Sequence, residues 1–269
     1  MSYRLFLTPK WLLGHALALG LVVLFVNFGF WQLRRLDERQ SYNTLLETRL
    51  TAPPEALAAL LAEVAPGAAR EPADAANPLA YRRALAEGVY DPAREVLLRS
   101  RSYNGNPGYP VLTPLVLDSG EALLVDRGWV PFAWDEPPVP GALTPEGRVA
   151  LSGVLFPRQE QPGFGARDPA TGELTALFWV DIERLGRQLP YPLVPMYLQL
   201  SAQAPAQPQP YPILAAPPVI DAGPHLGYAL QWFSFALIGI VGYALLVRQV
   251  VQEARGKRAP AERALQGKA

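Results

Sequence analysis

The chain has 269 residues, half of them hydrophobic and 18% charged, with 24 basic side chains balanced by 24 acidic ones, two histidines and no cysteine. Without thiols there is no disulfide framework, no thiolate nucleophile and no cysteine-ligated zinc, so an exported domain here relies on its own core. From Arg34 to His225 there are 16 arginines, 22 acidic residues and no lysine, leaving six net negative charges, which argues against nucleic acid as a partner.

Two uncharged stretches set the organisation. Trp11 to Leu33 is 23 residues long and Leu226 to Val247 is 22. At about 1.5 Å per residue, each is long enough to cross a hydrocarbon core of about 30 Å. The first exceeds the roughly 7–15 apolar residues of a cleaved signal peptide and runs on into Asn27-Phe28-Gly29-Phe30-Trp31, so it reads as an uncleaved anchor. Orientation follows from the basic residues near each span. The tail carries Arg248, Arg255, Lys257, Arg258, Arg263 and Lys268 against Glu253 and Glu262, while the 20 residues before His225 hold no lysine or arginine. Both termini are therefore expected in the cytoplasm, although Arg34, Arg35 and Arg39 weigh against this for the first span. The expected organisation is a transmembrane helix at 11–33, a periplasmic domain at 34–225, a second transmembrane helix at 226–247 and a cytoplasmic tail at 248–269.

Within the domain, Arg34 to Arg49 continues the first helix in polar form, and Pro53 to Val64 reads as an Ala/Leu-rich helix opened by two prolines. Short strands follow: Tyr81 to Tyr90, Glu95 to Arg101, Val111 to Leu117, Ala122 to Val130, Val149 to Phe156, Phe178 to Val180 and Met196 to Leu200. Turns fall at 104–108, 118–120 and 137–141. A short helix is predicted from Asp181, as N-cap, to Gln188. Pro157 to Glu173 reads as a long surface loop. Ala204 to Pro224, with seven prolines in 21 residues, reads as a stiff extended spacer leading back to the membrane. The fold class is two transmembrane helices flanking an α+β outer domain with a β core at about 81–200, mainly an antiparallel sheet or partly closed barrel.

Both histidines lie at the spans, His15 one turn into the first and His225 at the mouth of the second, too far apart along the membrane normal to share one metal. His15, polar within the apolar stretch, reads as a satisfied interfacial group. His225, Tyr228, Trp232 and Phe235 fall on one helix face, an imidazole above aromatic rings. That face has two readings. One is an interfacial aromatic belt, the other an iron ligand above rings that suit a flat macrocycle. At the same level, Gly29 permits close helix approach, Trp31 suits the headgroup region and Gln32 can reach the second helix. On a strand, Asp126 and Arg127 point to opposite faces, so each needs a separate partner; Arg127 reads as a structural ion pair or as a fork for a propionate or partner carboxylate. No phosphate loop, nucleophile elbow or zinc-protease motif occurs, and an enzymatic role is not expected.

Taken together, Gly29-Phe30-Trp31-Gln32 with Arg35 and Arg39, Arg83 with Gly88-Val89-Tyr90, Pro107-Gly108-Tyr109 with Thr113-Pro114, Val125-Asp126-Arg127-Gly128-Trp129-Val130-Pro131, and His225-Leu226-Gly227-Tyr228-Ala229-Leu230-Gln231-Trp232-Phe233 resemble the surfeit locus protein one family, in order from about Trp11 to Val247. Arg39 stands where that family usually has lysine, Asp126 where asparagine is also common, and the stretch from 51 to 80 matches no family feature. The resemblance implies an assembly factor for haem-copper cytochrome c oxidase in the bacterial inner membrane. It further implies binding of haem a at His225, with Tyr228, Trp232, Trp31 and Gln32 around the ring. The implied partners are the oxidase catalytic subunit, haem a synthesis enzymes and the membrane, with a homo-oligomer compatible. The competing expectation is a scaffold that steadies an oxidase subunit and touches no haem.

Overall fold

The computed structural model describes residues 6–65, 68–70, 74 and 76–266, with side chains only as far as Glu253. Most of the basic tail, from Arg255 to Lys268, lies outside the described side chains. The chain divides into two compact units, 44–220 and the helical pair formed by residues up to Asn43 and from Asp221 onward.

The helical pair consists of α1 (Pro9–Thr51) and α4 (His225–Gln266). Both have windows apolar enough to cross a membrane, with mean hydropathy 2.0 and 1.9 and almost no burial against protein. α1 runs on for 43 residues through the polar stretch, so the change of character at Arg34 alters the surface and not the backbone. The last residues of α1 belong to the central unit, where Leu46 is buried.

The central unit is a mixed nine-stranded sheet with two short helices, α2 (Leu57–Ala62) and α3 (Ile182–Gly186). Its strands are β1 (Glu55–Ala56), β2 (Arg83–Tyr90), β3 (Val96–Leu98), β4 (Arg101–Tyr103), β5 (Asn106–Val116), β6 (Ala122–Pro131), β7 (Arg148–Pro157), β8 (Ala176–Leu177) and β9 (Leu193–Ala204). Eight of them run in the order β1-β2-β7-β9-β6-β5-β3-β8, β4 pairs with β5 off this path, and a further pairing of β2 with β5 joins five of them into a ring. That closure depends on Gly88, where an added Cβ would stand 2.3 Å from the Val116 carbonyl, so only glycine lets the two backbones meet. Most pairings are antiparallel, but β1–β2, β3–β8 and β6–β9 are parallel.

Alternation explains the core. Along β2, burial follows a strict period of two, with Ala84, Ala86 and Tyr90 inward and Leu85, Glu87 and Val89 outward. The ring encloses Leu115, Leu123, Leu151, Leu155, Met196 and Leu198, and α2 adds Leu57 and Leu60 to the same cluster. Burying each such leucine stabilises by roughly 1.5–3 kcal/mol before its ordering entropy is subtracted. A second cluster, including Leu98, Leu112, Leu124 and Tyr197, is closed by Ile182 and Leu185 of α3, whose N-cap Asp181 accepts a hydrogen bond from the Arg184 amide.

Four expectations need correction. The helix read from Pro53 begins at Leu57, because the two prolines hold the backbone extended and Glu55–Ala56 adds a strand to β2. The sheet therefore extends beyond the expected core of 81–200. The turn read at 104–108 is a tight hairpin at Asn104-Gly105, both with positive φ, and Pro107-Gly108 already belongs to β5. The strand read at Phe178 to Val180 lies two residues earlier, since the Asp168 carboxylate accepts from the Phe178 and Trp179 amides and takes them from the sheet. The proline-rich segment is tethered at Ile213, which exchanges both backbone hydrogen bonds with Trp129, at 2.7 and 2.8 Å.

Candidate functional site

α4 begins at a compact turn. The Asp221 carboxylate accepts from the Gly223 amide, Gly223 takes a positive φ of 68°, and the first helical bond runs from the Tyr228 amide to the Pro224 carbonyl. His225 thus sits in the first turn, where unpaired amides give the helix its positive end. Its Nδ1 lies 2.9 Å from Oε1 of Gln32, which is only 8% exposed. An amide oxygen only accepts, so Nδ1 is the donor, and in the neutral imidazole Nε2 then keeps its lone pair. A Cβ placed on Gly223 would stand 3.5 Å from Nε2, so this nitrogen faces the turn.

Gln32, Arg35, Arg39 and Tyr42 are spaced by three, four and three, which puts them on one face of α1. Arg35, Glu38, Arg39, Tyr42, Gly223 and His225 line a cavity of about 430 Å³. Arg39 donates through Nε to the Asp221 carbonyl at 2.9 Å and lies over the Tyr42 ring, 5.3 Å from its centroid. Arg35 pairs with Glu38, both more than half exposed. The cavity therefore holds one nitrogen donor and two cations against one carboxylate.

Beneath it, aromatic side chains fill the space between the helices. Phe233 fits against Gly29 so closely that a Cβ there would lie 2.5 Å from the ring, the close approach expected of that glycine. Trp232 lies between Phe28 and Phe25, with centroids at 4.9 and 5.7 Å, and packs edge-on to Phe235. Among the sequence candidates, His225 and Gln32 come together at the cavity, and Trp232 belongs to this deeper layer. Trp31 and Tyr228 lie on the outer surface of the pair, each 48% exposed. At the far end, some 25 Å along α1 at 1.5 Å per residue, His15 Nδ1 contacts the Tyr243 hydroxyl, so this histidine has a polar partner within the apolar stretch.

Arg127 lies in the central unit and is 1% exposed. One amino group donates to Glu95 at 3.2 Å, the other to the Leu143 carbonyl at 2.8 Å, and the guanidinium covers the Tyr90 ring. Glu95 also accepts from the Thr113 hydroxyl and the Val139 amide. Burial is the largest influence on both ions, raising the Glu95 pKa and lowering that of Arg127. Of the two sequence readings of Arg127, the structure displays the ion pair, and buries it. No group of three histidine, aspartate or glutamate side chains able to hold a metal occurs among the described residues.

The SURF1 family model matches residues 19–237, which include the α1 face, the whole sheet and the start of α4. The chain belongs to the SURF1 family. An uncharacterised SURF1-like protein of Mycobacterium tuberculosis is 30% identical over 262 residues, covering 94% of this chain and 89% of that one. A SURF1-like protein of Monosiga brevicollis is 26% identical over 256 residues, 91% of each chain. The cytochrome oxidase assembly protein SHY1 of Saccharomyces cerevisiae is 29% identical over 122 residues, 44% of this chain and 29% of that one. In this SURF1 chain, Arg35, Glu38, Arg39, Tyr42 and Gly223 are the cavity residues that sequence reasoning did not assign to a site. The arginines were read for topology and as part of the family motif, whereas their three-four-three spacing from Gln32 was the available signal for a site.

Proposed function

We propose that this chain is a membrane-bound assembly factor for a haem-copper cytochrome oxidase, and that it holds haem a through His225 for delivery to the catalytic subunit. Family membership and the name of the yeast relative support the assembly role. The single observation that carries the haem reading is the Gln32-held tautomer, which leaves Nε2 of His225 free to donate beside a cavity. The residues fit such a group: a nitrogen donor for iron, cations for acidic substituents, and a helix pair whose aromatic surface suits an apolar ring. When bound, haem a would supply the redox-active iron destined for the oxidase. Gln32 fixes the ring orientation of His225, and one protein ligand suits release better than a closed two-histidine site. In this reading both termini are cytoplasmic and the cavity opens at the periplasmic face, following the basic tail.

The test is an absorption spectrum of the full-length protein co-expressed with haem a synthesis enzymes, beside His225→Ala. A Soret band lost in the variant, with circular dichroism unchanged, supports the assignment. Equal haem in both proteins, or none in either, overturns it and leaves a scaffold that touches no haem.

A further inference from the structure

Arg35 and Arg39 stand one helical turn apart on α1, about 6 Å along the axis, and both line the cavity that holds His225. Arg39 spends its Nε on a backbone carbonyl and is braced on Tyr42, which fixes its position while its two terminal amino groups make no hydrogen bond or ion pair with the described residues. Arg35 has one contact, to Glu38, which is itself exposed. With Glu38 counted, the cavity keeps one net positive charge, and the first turn of α4 adds the partial positive charge of its free amides. The apolar run of α1 ends at Leu33, so these cations stand where an amphiphile lying along the helices would present its polar edge. A planar guanidinium fork matches carboxylate geometry.

We propose that Arg35 and Arg39 bind the acidic edge of an amphiphilic ligand, and that the ligand's carboxylates are the two propionates of the macrocycle whose iron faces His225. This inference rests on the haem reading. It moves the carboxylate-binding role from Arg127, which is enclosed and committed to Glu95, to the two α1 arginines. A lipid phosphate offers related chemistry, and the experiment separates the two sources.

The experiment titrates the full-length protein in phosphatidylcholine nanodiscs with haemin and with haemin dimethyl ester, in which both carboxylates are blocked. Wild type is compared with the double variant Arg35→Gln/Arg39→Gln and with Arg35→Lys/Arg39→Lys, read by Soret absorbance. Wild type is expected to bind haemin about 10–100-fold more tightly than the ester, as befits charge-assisted hydrogen bonds. The glutamine variant should bind both at the ester's level with an unchanged Soret position, and the lysine variant should recover part of the difference. Equal affinity of wild type for acid and ester, or a preference that survives in the glutamine variant, overturns the arginine assignment while leaving the haem reading standing. If replacing part of the lipid with phosphatidylglycerol abolishes the acid–ester difference, lipid phosphate occupies the arginines and the propionate assignment falls. Absence of a Soret band from wild type with either porphyrin overturns the haem reading and this inference together, whereas the other outcomes reach the inference alone.

Discussion

Arg127 and the pair Arg35 and Arg39 are one residue type in two settings, and the neighbours decide what each guanidinium can do. Arg127 is buried on β6, with one amino group on Glu95, the other on the Leu143 carbonyl, its guanidinium over Tyr90 and its Nε without a hydrogen-bond partner among the described residues. The two charges bury at a cost, as the directions of their pKa shifts indicate, and what they contribute is the registry of the elements they tie together. Arg35 is exposed and pairs only with exposed Glu38 among the described residues, and Arg39, half-buried, uses its Nε on the Asp221 carbonyl and keeps its terminal amino groups outside that bond. The densest polar motif on a strand is thus architectural, while the sparser helical stripe is free to meet a ligand.

The largest effect should come from breaking the buried pair. Glu95→Ala leaves Arg127 charged without a counterion and is expected to cost about 3–5 kcal/mol in chemical denaturation of the solubilised full-length protein. Arg35→Ala should stay within about 0.5 kcal/mol. Similar losses from both would erase the distinction drawn here. Next in size is Gln32→Leu, which releases Nδ1 of His225 and should weaken haemin binding about 10–100-fold while leaving the denaturation midpoint nearly in place. An unchanged affinity would remove the tautomer argument.

A smaller effect concerns Asp126, beside Arg127 in sequence but on the opposite face of β6. Burial pushes its carboxyl up to about 6, against the pull of the Gly128 amide and Arg101. A folded pKa above the unfolded one means the stabilising contribution is full below about pH 4 and is lost as pH rises through about 6. Asp126→Asn keeps an acceptor for Gly128 and should be more stable than wild type by about 1–2 kcal/mol at pH 8, with the difference fading by pH 4. A gap that stays constant with pH would contradict the assignment. The smallest effect is at the surface: Arg148 bridges Asp118 and Glu87 in open solvent, and Arg148→Ala should leave the thermal midpoint unchanged. A measurable loss would give that exposed cluster a structural role.

Several features were legible from local chemistry. The alternation of β2 gave its buried face, Asp181 gave the start of α3, and Gly29 gave the close helix approach. Strand limits were less legible where distant groups competed for the backbone. Asp168 lies ten residues before Phe178 yet removes its amide from the sheet, and Ile213 lies 84 residues after Trp129 yet completes its edge. Neither partner is marked by spacing. At the cavity, His225 and Gln32 were both visible as candidates and Gln32 was expected to reach the second helix, but that it meets Nδ1 of His225 itself, 193 residues away, was not legible.

The two apolar helices, the alternating strands between them, the absence of thiol chemistry and the family were all readable from the residues alone. These follow from composition, period and local motif, which act over a few neighbouring residues. Which arginine is buried, which nitrogen of His225 meets Gln32 and that the sheet closes through Gly88 emerge from the folded arrangement instead. Each of those depends on which distant group arrives beside a side chain or backbone atom, because solvation and hydrogen bonding answer to neighbours in space.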